Sequence, residues 1–147
     1  KLSKQWELTG NVSFSNNRNL DFKTENETEV KNLGNTQISF SPDVIANLGL
    51  KFSPTKNFQF ALMNQYVGKQ YLDNSEDKNL QLKDYLLTDF NAQYQFTIAH
   101  NEVALKLLVN NIFNKKYVNN GAVWDGNPYY FSQAGTNFML GVSWKIH

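Results

Sequence analysis

Residues 86–96 have the sequence LLTDFNAQYQF, and this stretch decides the fold class. Its even positions are apolar or aromatic apart from Thr88, whereas its odd positions from 89 onward carry Asp, Asn, Gln and Gln. Side chains that change face at every second residue have the period of a β-strand, whereas a helix repeats about every 3.6 residues. Residues 86–96 are therefore predicted to form a strand with one apolar and one polar face.

The same alternation occurs in five further segments, and no helical spacing of comparable length competes with it. They are residues 6–14, 44–52, 58–66, 103–109 and 138–146. The segment at 103–109 is short and could continue through Ile112. The sequence thus predicts an all-β protein, built as an antiparallel up-and-down meander of about six strands.

The connections between these segments alternate in length. Residues 53–57 and 97–101 form tight turns, whereas the links at about 16–35, 73–83 and 118–135 are long. Transmembrane β-barrels have this asymmetry, with short turns at the periplasmic end and long loops at the extracellular end. Pro42, just before the second strand, cannot donate to a ladder, so a bulge or irregular pairing is expected there.

The two faces of the predicted sheet differ in a way that favours a membrane. The six apolar faces contain no charged residue, and the opposite face carries mostly amides, hydroxyls and glycine. Aromatic residues gather near the strand ends, as in the aromatic girdles of membrane barrels. The short-turn end has Trp6, Phe52, Phe58, Phe96 and Trp144, and the long-loop end has Phe14, Phe40, Tyr66, Tyr71 and Tyr117. The polar side chains Asp89, Asn91, Gln93 and Gln95 are then expected to face a lumen, where they could hydrogen-bond a plug.

The composition excludes several function classes. There is no cysteine, only two histidines are present, and the net charge is +1. Disulfides and thiolate metal sites are therefore excluded. A Ser-His-Asp triad is disfavoured, because only His100 and the last residue, His147, could supply its histidine. The charge gives no footprint for nucleic acid. We expect no cofactor and no enzymatic activity, because no catalytic constellation is present.

A specific run follows the fifth strand. Residues 107–117 have the sequence LLVNNIFNKKY, which resembles a hallmark of TonB-dependent outer-membrane receptors. Its signature positions here are Asn111, Phe113, Lys116 and Tyr117. The terminal run FMLGVSWKI at 138–146 is similar to the family's last strand. The run GKQYLDN at 68–74, followed by Tyr85 and Asp89, is similar to the preceding hairpin in Bacteroidetes members.

The resemblance implies a barrel of about 22 strands with a plug domain inside. Such receptors import scarce nutrients, namely iron chelates, cobalamin or glycans, using energy delivered through TonB. Residues 1–147 are then expected to be the C-terminal part of the barrel, integral to the bacterial outer membrane and in contact with its lipid. The plug, the earlier strands and the segment that binds TonB are expected upstream of Lys1 in the same receptor.

The last strand is expected to carry the signal that the barrel-assembly machinery recognises, at Trp144 and Ile146. Family members usually end in an aromatic residue. Here Ile146 occupies that place and His147 follows it. This departure puts the true C-terminus in doubt, but not the family.

Two loop clusters are candidate binding sites. Trp124, Tyr129 and Tyr130 in the last long loop could stack on a sugar or chelate, could pack the loop against its neighbours, or could form the upper aromatic girdle. Glu25, Glu27 and Glu29 could bind a hard cation, but they lack the spacing of a calcium loop, so a solvated loop is the better interpretation.

Two alternative functions remain open at the level of sequence. A soluble lipocalin-type barrel would turn the same apolar face inward around a ligand. A small outer-membrane barrel without transport activity would close from these strands alone or by oligomerising.

Overall fold

The computed structural model of the protein describes residues 2–25 and 29–146. Glu27 and His147, which the sequence analysis singled out, lie outside the described residues. In the described part of the chain, no helix is long and apolar enough to cross a membrane.

Six long strands form one antiparallel sheet, as the alternation predicts. They are β1 (Trp6–Phe14), β4 (Val44–Phe52), β5 (Phe58–Val67), β8 (Tyr85–Ile98), β9 (Asn101–Asn110) and β12 (Asn137–Lys145). The sheet order is β1-β4-β5-β8-β9-β12, an up-and-down meander whose edges are β1 and β12. The predicted fold class is confirmed. A lipocalin-type barrel would close on itself, whereas this sheet is open.

The three long connections contain strands that the sequence analysis assigned to loops. They are β2 (Arg18–Glu25), β3 (Val30–Gln37), β6 (Gln70–Tyr71), β7 (Gln81–Leu82), β10 (Val118–Trp124) and β11 (Asn127–Ser132), with a 3₁₀ turn at Lys78–Leu80. Each pair forms its own antiparallel hairpin. We call the connections loop 1 (15–43), loop 2 (68–84) and loop 3 (111–136). All three leave the same end of the sheet.

Two details of the strands differ from the prediction. Pro42 causes no bulge, because β1 and β4 pair regularly up to Phe14 and Val44 and the proline lies just outside the ladder. The Ser15 amide even extends the pairing, with a 2.9 Å hydrogen bond to the Asp43 carbonyl. The fifth long strand stops at Asn110 and does not reach Ile112.

The apolar face carries a row of rings near the short turns. Trp6 stacks on Phe52 at 4.3 Å between ring centroids, and Phe58 stacks on Tyr94 at the same distance. Phe60 joins the two pairs at 6.1–6.5 Å. At the loop end the predicted ring set is only partly on this face. Tyr71 is buried within loop 2, and Tyr117 packs on Tyr85, so both belong to the loops.

Two polar residues interrupt the apolar face, and they satisfy each other. Asn64 and Thr88 are direct cross-strand partners on β5 and β8. The Thr88 hydroxyl donates to the Asn64 side-chain oxygen at 2.8 Å, and the Asn64 amide reaches the Leu48 carbonyl at 3.4 Å. Because each polar group has a partner, the face tolerates them without a large desolvation cost.

The Asn64–Thr88 pair gives a double-mutant test. We expect Thr88→Val to lower the free energy of unfolding by about 1–2 kcal/mol, because it leaves the Asn64 oxygen without its donor. Adding Asn64→Leu is expected to recover most of this loss. Denaturant titration of the intact protein in detergent micelles measures both.

Thr97→Val serves as the control, since the Thr97 side chain is exposed and has no hydrogen bond with a described residue. It is expected to change the unfolding free energy by less than about 0.5 kcal/mol. A double variant that is as unstable as Thr88→Val would contradict the expected recovery.

Candidate functional site

The three loops pack into a layer at one end of the sheet. The buried apolar cluster of the described residues lies in this layer and consists of Leu72, Leu80 and Leu82 from loop 2. Val118 and Val123 of loop 3 pack against it. The loops therefore have a core of their own, whereas most of the large side chains on the two faces of the sheet are at least partly exposed.

Loop 2 holds loop 1 through polar contacts from two of its side chains. The Glu76 carboxylate pairs with the Arg18 guanidinium and accepts a 2.8 Å hydrogen bond from the Gln37 amide. The Asn74 side chain accepts a 2.7 Å bond from the Ser39 amide. The Arg18–Glu76 pair is about one-third exposed, so solvent screens it and it contributes little to stability. These contacts mainly fix the position of the β2–β3 hairpin on loop 2.

The hairpin of loop 3 is closed by a two-residue turn. Asp125 and Gly126 both have positive φ, at 48° and 71°, which is the backbone of a type I′ hairpin turn. Asp-Gly is a preferred sequence for that turn, because glycine adopts a positive φ without cost and aspartate tolerates it. The hairpin therefore has a defined shape at its tip.

One face of this hairpin packs on loop 2. The Tyr130 hydroxyl donates to the Asn79 carbonyl at 3.1 Å. A Cβ at Gly121 would lie 2.6 Å from the Tyr129 carbonyl and 3.0 Å from a Leu72 methyl group, so only glycine allows this approach. Tyr130 is one of the three aromatic residues predicted to bind a ligand, and in the structure it holds loop 3 against loop 2.

The other face of the hairpin is open. Trp124 and Tyr129 lie there with Phe131, since Trp124 is opposite Asn127 and the period along β11 is two. Trp124 is 75% exposed, and Tyr129 and Phe131 are about half exposed. Three rings on a braced hairpin offer a flat surface on which a ring-bearing ligand could stack.

Asn111 organises the start of loop 3. Its φ is +50°, so it turns the chain out of β9, and it is only 4% exposed. The backbone amide of Asn111 donates to the Asp89 carboxylate at 2.7 Å. The side-chain oxygen of Asn111 accepts a 2.8 Å hydrogen bond from the backbone amide of Lys115. The side-chain nitrogen of Asn111 donates to the carbonyls of Lys115 and Ala134. Its carbonyl accepts from the Thr136 hydroxyl at 2.7 Å. Asn111 thus joins β8 to both ends of loop 3.

The other signature residues have different surroundings. Phe113 is 75% exposed, and the Lys116 ammonium lies 3.4 Å from the Asn114 side-chain oxygen. Tyr117 packs on Tyr85 with 4.7 Å between centroids. Pattern reasoning did not find the turn-forming role of Asn111. The Asn-Asn pair at the end of an alternating strand was its only signal, since asparagine tolerates the left-handed region.

The polar face of β8 carries the four predicted lumenal residues. Asp89 is already engaged by the Asn111 amide. The side chains of Asn91, Gln93 and Gln95 make no hydrogen bond with any described residue. Gln93 lies opposite Gln59 on β5 and Lys106 on β9, so a strip of polar groups crosses three strands and remains open to an external partner.

Metal ligands do not converge within residues 2–25 and 29–146, where no group of three or more His, Asp or Glu side chains could hold an ion. The calcium hypothesis for Glu25, Glu27 and Glu29 involves Glu27, which is outside those ranges. Trp144 pairs with Val103 across the β9–β12 ladder, and Ile146 lies just beyond β12. Both are largely exposed.

Comparison with known proteins identifies one family and several solved structures of similar fold. A family model described as TonB dependent receptor-like, beta-barrel, matches residues 2–112. No curated protein sequence matches the chain significantly.

Solved structures of siderophore and iron receptors share the fold. The siderophore receptor PiuA from Acinetobacter baumannii is 18% identical with a TM-score of 0.76, over 97% of this chain and 20% of that one. The ferric yersiniabactin uptake receptor FyuA from Yersinia pestis is 16% identical with a TM-score of 0.69, over 99% and 21%. The ferric-catecholate import receptor Fiu from E. coli K12 is 15% identical with a TM-score of 0.65, over 96% and 19%. The chain therefore spans about one fifth of the length of these proteins.

Asn111 is the position to test in this site. We expect Asn111→Ala to lower the unfolding free energy by about 2–3 kcal/mol and to speed proteolysis of loop 3, because several buried hydrogen bonds lose a partner. Asn111→Gly keeps the backbone turn but not the side-chain bonds, so it is expected to remain destabilising. Denaturant titration and timed proteolysis measure these effects.

The matched control is Asn110→Ala at the neighbouring asparagine, whose side chain makes one exposed hydrogen bond to Asn137. It is expected to cost less than about 1 kcal/mol. Equal effects at both positions would contradict the role given to Asn111.

Proposed function

Because the chain belongs to the family of TonB-dependent receptor-like β-barrels, we propose that residues 1–147 form the C-terminal wall of an outer-membrane importer and three of its extracellular loops. The family match over residues 2–112 is the observation that carries this proposal. A transport role, not a catalytic one, is what such membership supports.

The apolar face of the sheet is the surface that meets lipid in this proposal. It spans all six long strands without a charged residue, and its two polar residues bond to each other. Rings line its short-turn end, at the level where an aromatic side chain tolerates one wet edge. Hydrocarbon is a suitable solvent for such a face, whereas water is not.

Other parts of the same receptor supply what the sheet lacks. Strand edges cannot remain unpaired in hydrocarbon, so β1 and β12 are proposed to pair with further strands of a closed barrel. The open amides of Asn91, Gln93 and Gln95 are suited to hydrogen-bond a plug inside the barrel. TonB engages the upstream part of the receptor. The assembly machinery recognises the last strand at Trp144 and Ile146.

A ferric chelate is the proposed cargo. The receptors of similar fold are named for siderophores, ferric catecholates and ferric yersiniabactin. The exposed rings of Trp124 and Tyr129 could stack on an aromatic chelate at the mouth of the barrel, with Tyr130 holding the hairpin in place. Cobalamin and glycans are the alternative cargoes that the family resemblance implies.

The orientation of the two faces can be tested by site-directed spin labelling. The chain contains no cysteine, so a cysteine introduced at Leu140 or Gln93 is unique within it. In the receptor reconstituted into bilayers, we expect the label at Leu140 to collide with oxygen but not with a water-soluble nickel chelate. The label at Gln93 is expected to show the reverse preference. Power-saturation electron paramagnetic resonance measures both.

The two positions control for each other, because they lie on opposite faces of one sheet. A soluble barrel with the apolar face inside would shield the label at Leu140 from both reagents. That result, or a receptor that is monomeric and stable in water without detergent, would overturn the membrane assignment.

The cargo contact can be tested by uptake. We expect Trp124→Ala and Tyr129→Ala to raise the apparent KM for radiolabelled iron, presented as a ferric catecholate, by about threefold to tenfold each. The reason is the loss of a stacking surface without loss of a buried contact. Initial uptake rates in cells that express the receptor measure this.

Phe113→Ala is the matched control, because Phe113 lies in the same loop and is as exposed as Trp124. Its KM is expected to stay unchanged. If the ferric catecholate is taken up equally by all variants, the aromatic face does not bind it. If cells with the intact receptor take up none, the cargo assignment is wrong.

A further inference from the structure

A basic recess lies beside β5 and β8, where the sheet meets loop 2. It is open to solvent and is lined by Tyr66, Lys69, Lys78, Gln81, Lys83 and Asp84. Apart from Tyr66, which lies on β5, these residues belong to neither the six-stranded sheet nor the aromatic face of loop 3.

The recess lies at the rim of the apolar face. Tyr66 belongs to that face, where it pairs with Leu86 across the ladder. The Tyr66 hydroxyl donates to the Asp84 carboxylate at 3.3 Å. This hydrogen bond joins the apolar face to the end of loop 2. If the apolar face meets lipid, the recess is at the level of the headgroups of the outer leaflet.

The charge of the recess is positive. Three lysines stand against one aspartate, and all three lysines are exposed. None of Lys69, Lys78 and Lys83 forms an ion pair with a described residue, and Asp84 is engaged by Tyr66. The Lys69 ammonium is 5.6 Å from the centre of the Tyr71 ring, a contact that orients it over the loop.

The acidic side chains of loop 2 do not neutralise these lysines. Glu76 pairs with Arg18 of loop 1. Asp73 accepts from the Ser75 amide and hydroxyl, and Asp77 caps the 3₁₀ turn by accepting from the Asn79 amide. The carboxylates of loop 2 are thus engaged by other groups of the protein, whereas Lys69, Lys78 and Lys83 are exposed.

We propose that the recess formed by Tyr66, Lys69, Lys78 and Lys83 binds a phosphate group of an outer-leaflet lipid. Lysines close to a membrane surface attract anionic headgroups, and their long stems allow the ammonium to reach the phosphate layer while the chain follows the apolar rim. Tyrosine is a usual neighbour at this depth. The inference rests on the proposed function for the orientation of the face.

The test measures lipid binding, not transport. The full-length receptor in detergent is titrated with diphosphorylated lipid A and with lipid A from which both phosphates have been removed, and bound lipid is counted by native mass spectrometry. We expect binding of the phosphorylated form only. Combined Lys69→Gln, Lys78→Gln and Lys83→Gln is expected to weaken it by about tenfold to a hundredfold.

The matched control neutralises three exposed lysines elsewhere, with Lys23→Gln, Lys31→Gln and Lys56→Gln. It is expected to leave the affinity for phosphorylated lipid A unchanged. An equal loss in both triple variants, no loss in either, or equal binding of the dephosphorylated lipid overturns the proposal. Displacement of the lipid by millimolar inorganic phosphate would overturn it as well, by indicating a general anion site.

Failure here is separable from failure of the proposed function. If the Leu140 label lies in lipid but the triple lysine variant binds phosphorylated lipid A as tightly as the unchanged receptor, only the proposal of a phosphate site is wrong. If the Leu140 label is shielded from both reagents, the proposed membrane orientation is wrong, and the proposal of a phosphate site is overturned with it.

Discussion

Ladder hydrogen bonding between neighbouring strands is the constraint on which this structure depends. The six-stranded sheet buries few of its own side chains, and large apolar residues such as Leu140 and Val142 remain more than two-thirds exposed. These two residues lie on the edge strand β12, and the side chains of the inner strands are also mostly at least partly exposed. What is regular is the register, which runs without a bulge through the ladders of all six strands. Regular antiparallel ladders thus connect each of the four inner strands to both of its neighbours.

The loop layer is stabilised differently from the sheet, because it packs around a small apolar core as a soluble protein does. Leu72, Leu80 and Leu82 form a small core, and polar side chains complete the backbone hydrogen bonds around it. The transition from the sheet to the loop layer occurs at defined residues. At Asn111 the chain leaves the β9 ladder with a positive φ, and the Asp89 carboxylate takes the amide that the ladder no longer pairs. The signature run of the sequence thus forms the junction between the six-stranded sheet and the separately packed loop layer.

Sequence patterning was sufficient for the sheet and insufficient for the loops, and the reason is physical. The long strands must keep one face uncharged, so their alternation is strict and visible. The β2–β3 hairpin has no such face. Its register shifts around Phe22, and Asp21 adopts a positive φ, so the period of two is interrupted. The site residues show the same limit. Composition identifies Trp124, Tyr129 and Tyr130 as a group, but only the register separates Tyr130, which braces loop 2, from the two exposed rings.

Loop 2 connects the two surfaces proposed to bind ligands. Loop 2 contributes the leucine core on which the loop 3 hairpin packs, and Gly121 allows that hairpin to lie close to Leu72 because it has no side chain. The same short segment places its three lysines in the recess beside Tyr66. A lipid phosphate held at this rim would therefore restrain loop 2, and through Leu72 and Tyr130 it would restrain the hairpin that presents Trp124. One packed segment thus joins the proposed lipid site to the proposed cargo site, so order imposed on one of them would reduce the conformational freedom of the other.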